Sequence, residues 1–329
     1  MDSRAASPSD PSAVFPAARS TDPAPVSAAD VKNAAERIAG LVRPVTVAPG
    51  GDGVWFALEF LQHTGSFKAR GAANFVTAQR DAGAVPETGV VIASGGNAGL
   101  ACAWAARERG VPAHVFLPRT APAVKAERLR GYGADVRLEG TTYQEALDAS
   151  RTYALATGAL QSHAYDHPLV SAGAGTLLTE IALAVPVDTV VVSVGGGGLF
   201  AGVAAAAAGL GVRVVAVEPE NCRALNAAHA AGRIVDVPVN SVAADSLGAT
   251  RVSADALHWI GRPENVSVLV PDEAIVSVRR QLWDGHRLAV EHAAATALAA
   301  LETGAYRPER GERVAVVLCG ANTDPSDLV

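Results

Sequence analysis

Lysine is nearly absent from this 329-residue chain: Lys32, Lys68 and Lys125 stand against 24 arginines. Where arginine takes almost every cationic role, a retained lysine invites a reason, and one is amine chemistry. Lysine can lose its proton, form a Schiff base and act as a base, which guanidinium cannot do. Cysteine is scarce as well. Cys102, Cys222 and Cys319 are widely spaced, odd in number and form no CxxC pair. That argues against a disulfide framework or a cysteine zinc site and fits a reducing cytoplasm. There is no basic excess, since the net charge is -6 and the pI about 5.8, so nucleic acid is not an expected partner. The stretch 1–29 lacks the apolar centre of a signal peptide and, being rich in Pro, Ala, Ser and Asp, reads as a mobile tail. Two nucleotide motifs are also missing. No Gly-Lys-Ser/Thr occurs, and counting GxGxxG from Gly195 and Gly197 puts Phe200 where the third glycine belongs.

What is present is apolar and small-sided. Hydrophobic residues make up 49% of the chain and aromatics only 5%, a composition that suits helices laid close on a parallel sheet. Asp30 reads as the cap of a helix from Val31 to Val42, Gly50 to Gly53 as a turn, and Val54 to Phe60 as a strand. A theme then recurs: an apolar run, a glycine or proline loop, and a helix closed by glycine. The apolar runs fall at 89–93, 113–117, 134–138, 189–194 and 212–217, with a last buried strand at 313–319. Val190 to Val217 is long enough to span a bilayer, but four glycines and Arg213 interrupt it and acidic Asp188 and Glu218 flank it. It reads as strand, loop, helix and strand, not as a membrane span. The alternation predicts an open, mostly parallel α/β sheet.

Lys68 lies in Thr64-Gly65-Ser66-Phe67-Lys68-Ala69-Arg70-Gly71-Ala72, crowded by small residues and one aromatic, as a desolvated amine requires. From composition alone an ordinary helix-start lysine is the stronger reading, and it stands for Lys32 and Lys125. Gly195-Gly196-Gly197-Gly198 follows an apolar strand and opens a helix. Converging backbone N–H groups and the helix dipole would suit a phosphate there, though glycine runs also mark plain turns. Ser94-Gly95-Gly96-Asn97-Ala98-Gly99 is a second strand-to-helix loop. Its donors could hold a carboxylate and the Asn97 amide a ring hydroxyl; taken alone, an N-cap by Ser94 or Asn97 is the simpler account.

Taken in order, these segments resemble the fold-type II pyridoxal 5'-phosphate (PLP) enzymes, specifically the serine/threonine dehydratase family. The resemblance runs from about residue 30 to the C-terminus. It includes Tyr165-Asp166-His167-Pro168, Ala172-Gly173-Ala174-Gly175-Thr176 and Cys319-Gly320-Ala321-Asn322 beside the three segments above. It implies two open α/β domains of mostly parallel sheet, like the tryptophan synthase β chain. The large domain would comprise 30–86 and 167–329, and a small mobile domain 87–166. Lys68 would carry PLP as a Schiff base and then serve as base at Cα, with Phe67 beside the ring and Asn97 on its hydroxyl. Gly195, Gly196, Gly197, Gly198 and Leu199 would bind the phosphate, and Cys319 would face the pyridine nitrogen. Ser94, Gly95, Gly96 and Ala98 would hold the substrate carboxylate, with Ser246 bordering the substrate. A thiol partner does not force that nitrogen to stay protonated, which favours β-elimination over transamination.

The implied reaction removes water and then ammonia from L-serine or L-threonine, giving pyruvate or 2-oxobutanoate. Racemase relatives carry a serine hydroxyl where this chain has Gly95, so racemisation is disfavoured. Glu218 with nearby carbonyls is a candidate for a monovalent cation, with a structural carboxylate at a strand end as the equal alternative. Two other readings compete: a β- or γ-replacement enzyme such as a threonine or cysteine synthase, and a PLP-binding protein without turnover. The resemblance further implies a homodimer. His163 and His167 have helical metal spacing, but Pro168 makes a domain-crossing segment the better reading. His63 reads as pocket wall, and the helix from Ala289 to Leu301 as packing.

Overall fold

Valine-rich runs bounded by glycine supply most of the strands, and two separate sheets result. The computed structural model describes residues 24–328. Its strands are β1 (Val47–Gly51), β2 (Val54–Ala57), β3 (Val90–Ala93), β4 (Ala113–Leu117) and β5 (Asp135–Leu138). These are followed by β6 (Leu160–Gln161), β7 (Thr189–Ser193), β8 (Arg213–Pro219), β9 (Asn265–Val270) and β10 (Val314–Val317). A six-stranded sheet has the order β1-β2-β10-β7-β8-β9, and a four-stranded sheet the order β5-β4-β3-β6. Every pairing is parallel except the β1–β2 hairpin. The chain leaves the large sheet after β2, builds the small one, and returns at β7. The α/β class and its mostly parallel sheets are those expected. β3, β7 and β8 are almost wholly buried, as strands covered by helices on both faces must be. The ambiguous run Val190 to Val217 is β7, the helix Gly198–Ala208 and β8, and no helix among the described residues is long and apolar enough to cross a membrane.

Expectations at element ends need correction: the first helix stops at Ile38 and not at Val42, and β2 stops at Ala57 and not at Phe60. The N-terminal tail does not extend to Ala29. The helix begins at Ala28, with Ser27 as N-cap and Asp30 completing a capping box. Val26 before it and Val31 in its second turn are both buried in the main core, a hydrophobic staple across the helix start. The Trp259 indole N–H also donates to the Val26 carbonyl at 3.0 Å. Residues 1–23, the rest of the expected tail, lie outside the described residues. The glycine turn after Gly50 is tighter than expected, because Gly51 belongs to β1. Positive φ at Gly51, Asp52 and Gly53 reverses the chain directly into β2.

The helix Lys68–Asp81 follows β2 through two short 3-10 turns. Its residues Ala69, Ala72, Ala73, Phe75 and Val76 join the core that packs beneath the small sheet. Its other flank meets the helix Pro168–Ala184, where Gly71 and Gly173 permit close approach: a Cβ on Gly71 would come within 2.7 Å of the Val170 carbonyl. The lysine helix is thereby wedged between the elements of the two sheets.

Candidate active site

Open α/β sheets bind ligands beyond the carboxyl ends of their strands. Here the loops after β3, β7 and β10 and the segment after β2 all open toward one cleft. The turn before Lys68 is unusual: Thr64, a β-branched residue, has φ +64, and Gly65 follows at +76. Left-handed backbone costs a β-branched residue about 1–2 kcal/mol. The strained turn is tied down by Asn322, whose Nδ2 donates to the Thr64 carbonyl at 2.6 Å. Phe67 N–H donates to the Cys319 carbonyl, which fixes the start of the lysine helix beside the end of β10.

Lys68 Nζ lies 2.7 Å from the Ala164 carbonyl and 4.8 Å from the Phe67 ring centroid, with no carboxylate of the described residues bonded to it. Burial pulls its pKa down to about 8, partly opposed by Glu291 nearby. Phe67, Lys68, Tyr165, Gly198 and Leu199 line one cavity. Burial also pushes the Cys319 thiol up to about 12, so it stays neutral, and its sulfur sits 3.5 Å from Ser193 Oγ. A neutral thiol and an amine of lowered pKa are what the expected cofactor chemistry asks of these positions.

The glycine loop fits an anion by its shape and its donors. Gly197 has φ +93, a Cβ there would fall 2.4 Å from Ala256, and a Cβ on Gly196 would fall 2.4 Å from the Tyr165 ring. Among the described residues, the N–H groups of Gly195 to Leu199 donate to no protein acceptor, while Gly197 itself caps the helix Gly198–Ala208. The loop after β3 has the same character. The N–H groups of Asn97, Ala98 and Gly99 also lack an acceptor at the start of the helix Asn97–Glu108. The cap explanation for Ser94 and Asn97 fails: Gly96 is the N-cap and no side chain caps the helix. Ser94 Oγ instead accepts the Gly96 N–H at 3.4 Å. The residues present therefore fit a phosphorylated aldehyde held by Lys68, with a second anion site for a carboxylate.

Asn97 and Ser246 meet at a residue the sequence reading passed over. Asn97 Nδ2 donates to both oxygens of Glu291 at 2.9 and 3.0 Å, Ser246 Oγ donates at 2.9 Å, and the Asn322 N–H at 2.8 Å. Asn322 Nδ2 donates in turn to Asn97 Oδ1 at 2.7 Å. Glu291 is 4% exposed and is the N-cap of the helix His292–Glu302. The region read as packing thus brings a carboxylate into the site. The one available signal was an acidic residue opening an otherwise alanine-rich helix.

The remaining candidates take structural partners. Glu218 is fully buried and its two oxygens accept the N–H groups of Leu225 and Asn226 at 2.7 and 2.8 Å. It caps the helix Ala224–Ala231, the structural alternative, and burial raises its pKa to about 7. His63 stacks on Trp104 at 4.7 Å. His163 and His167 each turn Nδ1 to local backbone N–H groups instead of to a shared ligand. Lys125 is not merely a solvated cation, for it reaches Asp245 at 3.0 Å.

Comparison with known proteins agrees with this geometry. The family model described as "Pyridoxal-phosphate dependent enzyme" matches residues 41–320. The human protein "Serine dehydratase-like" is 37% identical over 282 residues, covering 82% of this chain and 85% of its own length. An L-threonine ammonia-lyase of Geobacter sulfurreducens is 38% identical over 275 residues, covering 82% of this chain and 67% of its own. Among solved structures, maize serine racemase superposes with a TM-score of 0.86 at 30% identity, covering 93% of this chain and 96% of that one. With its fold-type II architecture, a half-buried lysine and two donor-rich loops in one cleft, the chain belongs to the pyridoxal-phosphate dependent enzyme family.

Proposed function

We propose that the protein is a dehydratase converting L-serine or L-threonine to pyruvate or 2-oxobutanoate with release of ammonia. The observation that carries this reading is the polarity of the site: an amine that has no carboxylate partner among the described residues shares the cleft with a neutral thiol and two loops of free N–H donors. Gly195 to Leu199 would hold the cofactor phosphate, Cys319 its ring nitrogen and Asn97 its ring hydroxyl, the Asn97 amide being oriented by Glu291 and Asn322. Bound there, PLP supplies an electron sink for the substrate's Cα. Lys68 Nζ takes the Cα proton, its lowered pKa bringing the neutral amine within reach at ordinary pH. Ser94 and the N–H groups of Asn97 and Ala98 orient the carboxylate. The β-hydroxyl departs as water, the proton that Lys68 took from Cα balancing the one the leaving oxygen gains, and the released enamine hydrolyses to the oxo acid and ammonia. The two sheets, with their helices, act as two domains that close over the substrate.

Serine racemase lies among the structural relatives, and Gly95 argues against that activity here. It carries no hydroxyl, and a Cβ added to it would fall 2.8 Å from Leu117 Cδ2. A side chain at this position would therefore have to displace the end of Leu117. The test is a coupled assay for 2-oxo acids on holoenzyme given L-serine and L-threonine, beside Lys68→Ala. Oxo acid from the wild type alone supports the reading. Cofactor absorbance with no oxo acid from either substrate overturns it in favour of replacement chemistry or binding without turnover.

A further inference from the structure

The Ala164 carbonyl that receives Lys68 sits in a short turn with no regular structure of its own, and His163 organises that turn. Its Nδ1 accepts the N–H of Tyr165 at 3.3 Å and of Asp166 at 2.8 Å. One ring nitrogen accepting two N–H donors must carry a lone pair, so the neutral ring has its proton on Nε2. The geometry is that of a side chain closing a turn on residues two and three positions ahead, the task Asn and Asp usually perform. Downstream the turn is held by Tyr165, whose hydroxyl donates to the Arg251 carbonyl at 3.2 Å and whose carbonyl receives Ser171 Oγ at 3.4 Å. Between these anchors Ala164 presents its carbonyl to Lys68 Nζ at 2.7 Å.

We propose that His163 is a positioning residue for Lys68: its Nδ1 holds the 163–166 turn so that the Ala164 carbonyl receives the lysine amine, and protonation of Nδ1 releases that hold. The inference rests on the reading of Lys68 as the site's base. With one N–H engaged by Ala164, a neutral amine keeps its lone pair for the cleft. An imidazolium has N–H on both nitrogens, so protonation sets a donor against the two backbone donors and the turn must open. The groups facing the ring are Asp166 on the same turn, Lys68 at the start of its helix, Arg151 on the helix Tyr143–Thr157, and His167. Tyr165 packs edge-on against the ring at 4.9 Å. Burial, Lys68 and Arg151 all disfavour the imidazolium and only Asp166 favours it, which holds the pKa below the usual histidine value of 6.5. The hold is therefore intact at neutral pH and given up on acidification.

Asparagine places an acceptor where Nδ1 stands and does not titrate, while alanine has no acceptor and glutamine places one too far out. The test compares wild type, His163→Asn, His163→Gln and His163→Ala as full-length chains before cofactor loading. Lys68 acetylation is followed by mass spectrometry, with Lys32 and Lys125 as internal references. At neutral pH the Ala and Gln variants should label Lys68 about fivefold faster than wild type, the ratio expected for loss of one neutral hydrogen bond, and Asn should match wild type. Below the His163 titration, wild type should come to label like Ala while Asn keeps its neutral-pH ratio to Ala. Nitrogen NMR of the wild type should show the His163 proton on Nε2 at pH 8, a readout that survives even if a variant fails to fold. A proton on Nδ1, or an Asn variant that labels like Ala, would overturn the proposal. Neither measurement needs turnover, so it can stand if the dehydratase assignment falls, and the reverse.

Discussion

Lys68 and Arg70 lie two residues apart on one helix, the first half-buried and the second fully buried, and their surroundings are opposite. Arg70 is completely buried, and its guanidinium meets Glu59 at 2.5 Å and Glu180 at 2.7 Å, with Thr176 and the Arg43 carbonyl completing its donors. Those carboxylates hold its pKa above the ordinary arginine value. Among the described residues Lys68 donates only to a carbonyl; it stands at the helix N-terminus where the dipole disfavours a cation, and is drawn down to about 8. One helix thus carries a cation built to stay charged and an amine able to give its proton up. Burial alone decides neither outcome; the partners do.

The comparison can be broken most severely at Arg70. Arg70→Met leaves Glu59 and Glu180 without their cation, and breaking a buried ion pair from one side should cost about 3–5 kcal/mol by urea denaturation. Next comes Glu291, whose negative charge favours the Lys68 ammonium. Glu291→Gln offers one oxygen to the three groups that now donate to it, Asn97, Ser246 and the Asn322 N–H, and should cost about 1–3 kcal/mol. The same variant removes a charge that favours the Lys68 ammonium, so the pH midpoint of Lys68 acetylation should fall below about 8. Lys68→Met should do the opposite of Arg70→Met: it abolishes activity yet stabilises the cofactor-free chain by roughly 0.5–2 kcal/mol at pH 7.

The last test reads a slope. Lys68 has a folded pKa near 8 against 10.5 unperturbed, so between these values the unfolded chain binds more protons and stability rises with pH. Below pH 8 the penalty of a buried ammonium is fully present. Denaturant midpoints of the cofactor-free wild type measured from pH 7.5 to 10.5 should contain this rise, and those of Lys68→Met should lack it. A rise that persists unchanged in Lys68→Met would assign the slope to other groups.

Much of this was legible in the sequence, and for local reasons. Glycine runs after apolar segments placed the loops, since only glycine tolerates Gly197's φ and its approach to Ala256. The α/β alternation followed from hydrophobic runs bounded by turn residues, and the scarcity of lysine drew attention to Lys68. Boundaries set by medium-range effects were less legible. The first helix started at Ala28 because Val26, Ser27 and Asp30 act together, and Asp30 seen alone was mistaken for the cap.

What the sequence by itself determined is the set of elements and the chemistry of each loop, because backbone preference and hydrophobic period act over a few residues. Tertiary structure alone decided which charges meet. Glu291 reaches Asn97 across 194 residues of sequence, Glu180 reaches Arg70 across 110, and Ala164 reaches Lys68 across 96. No local pattern encodes those distances. They exist because two sheets and the helix between them bring their loops to one cleft, where low polarity makes each partner decisive.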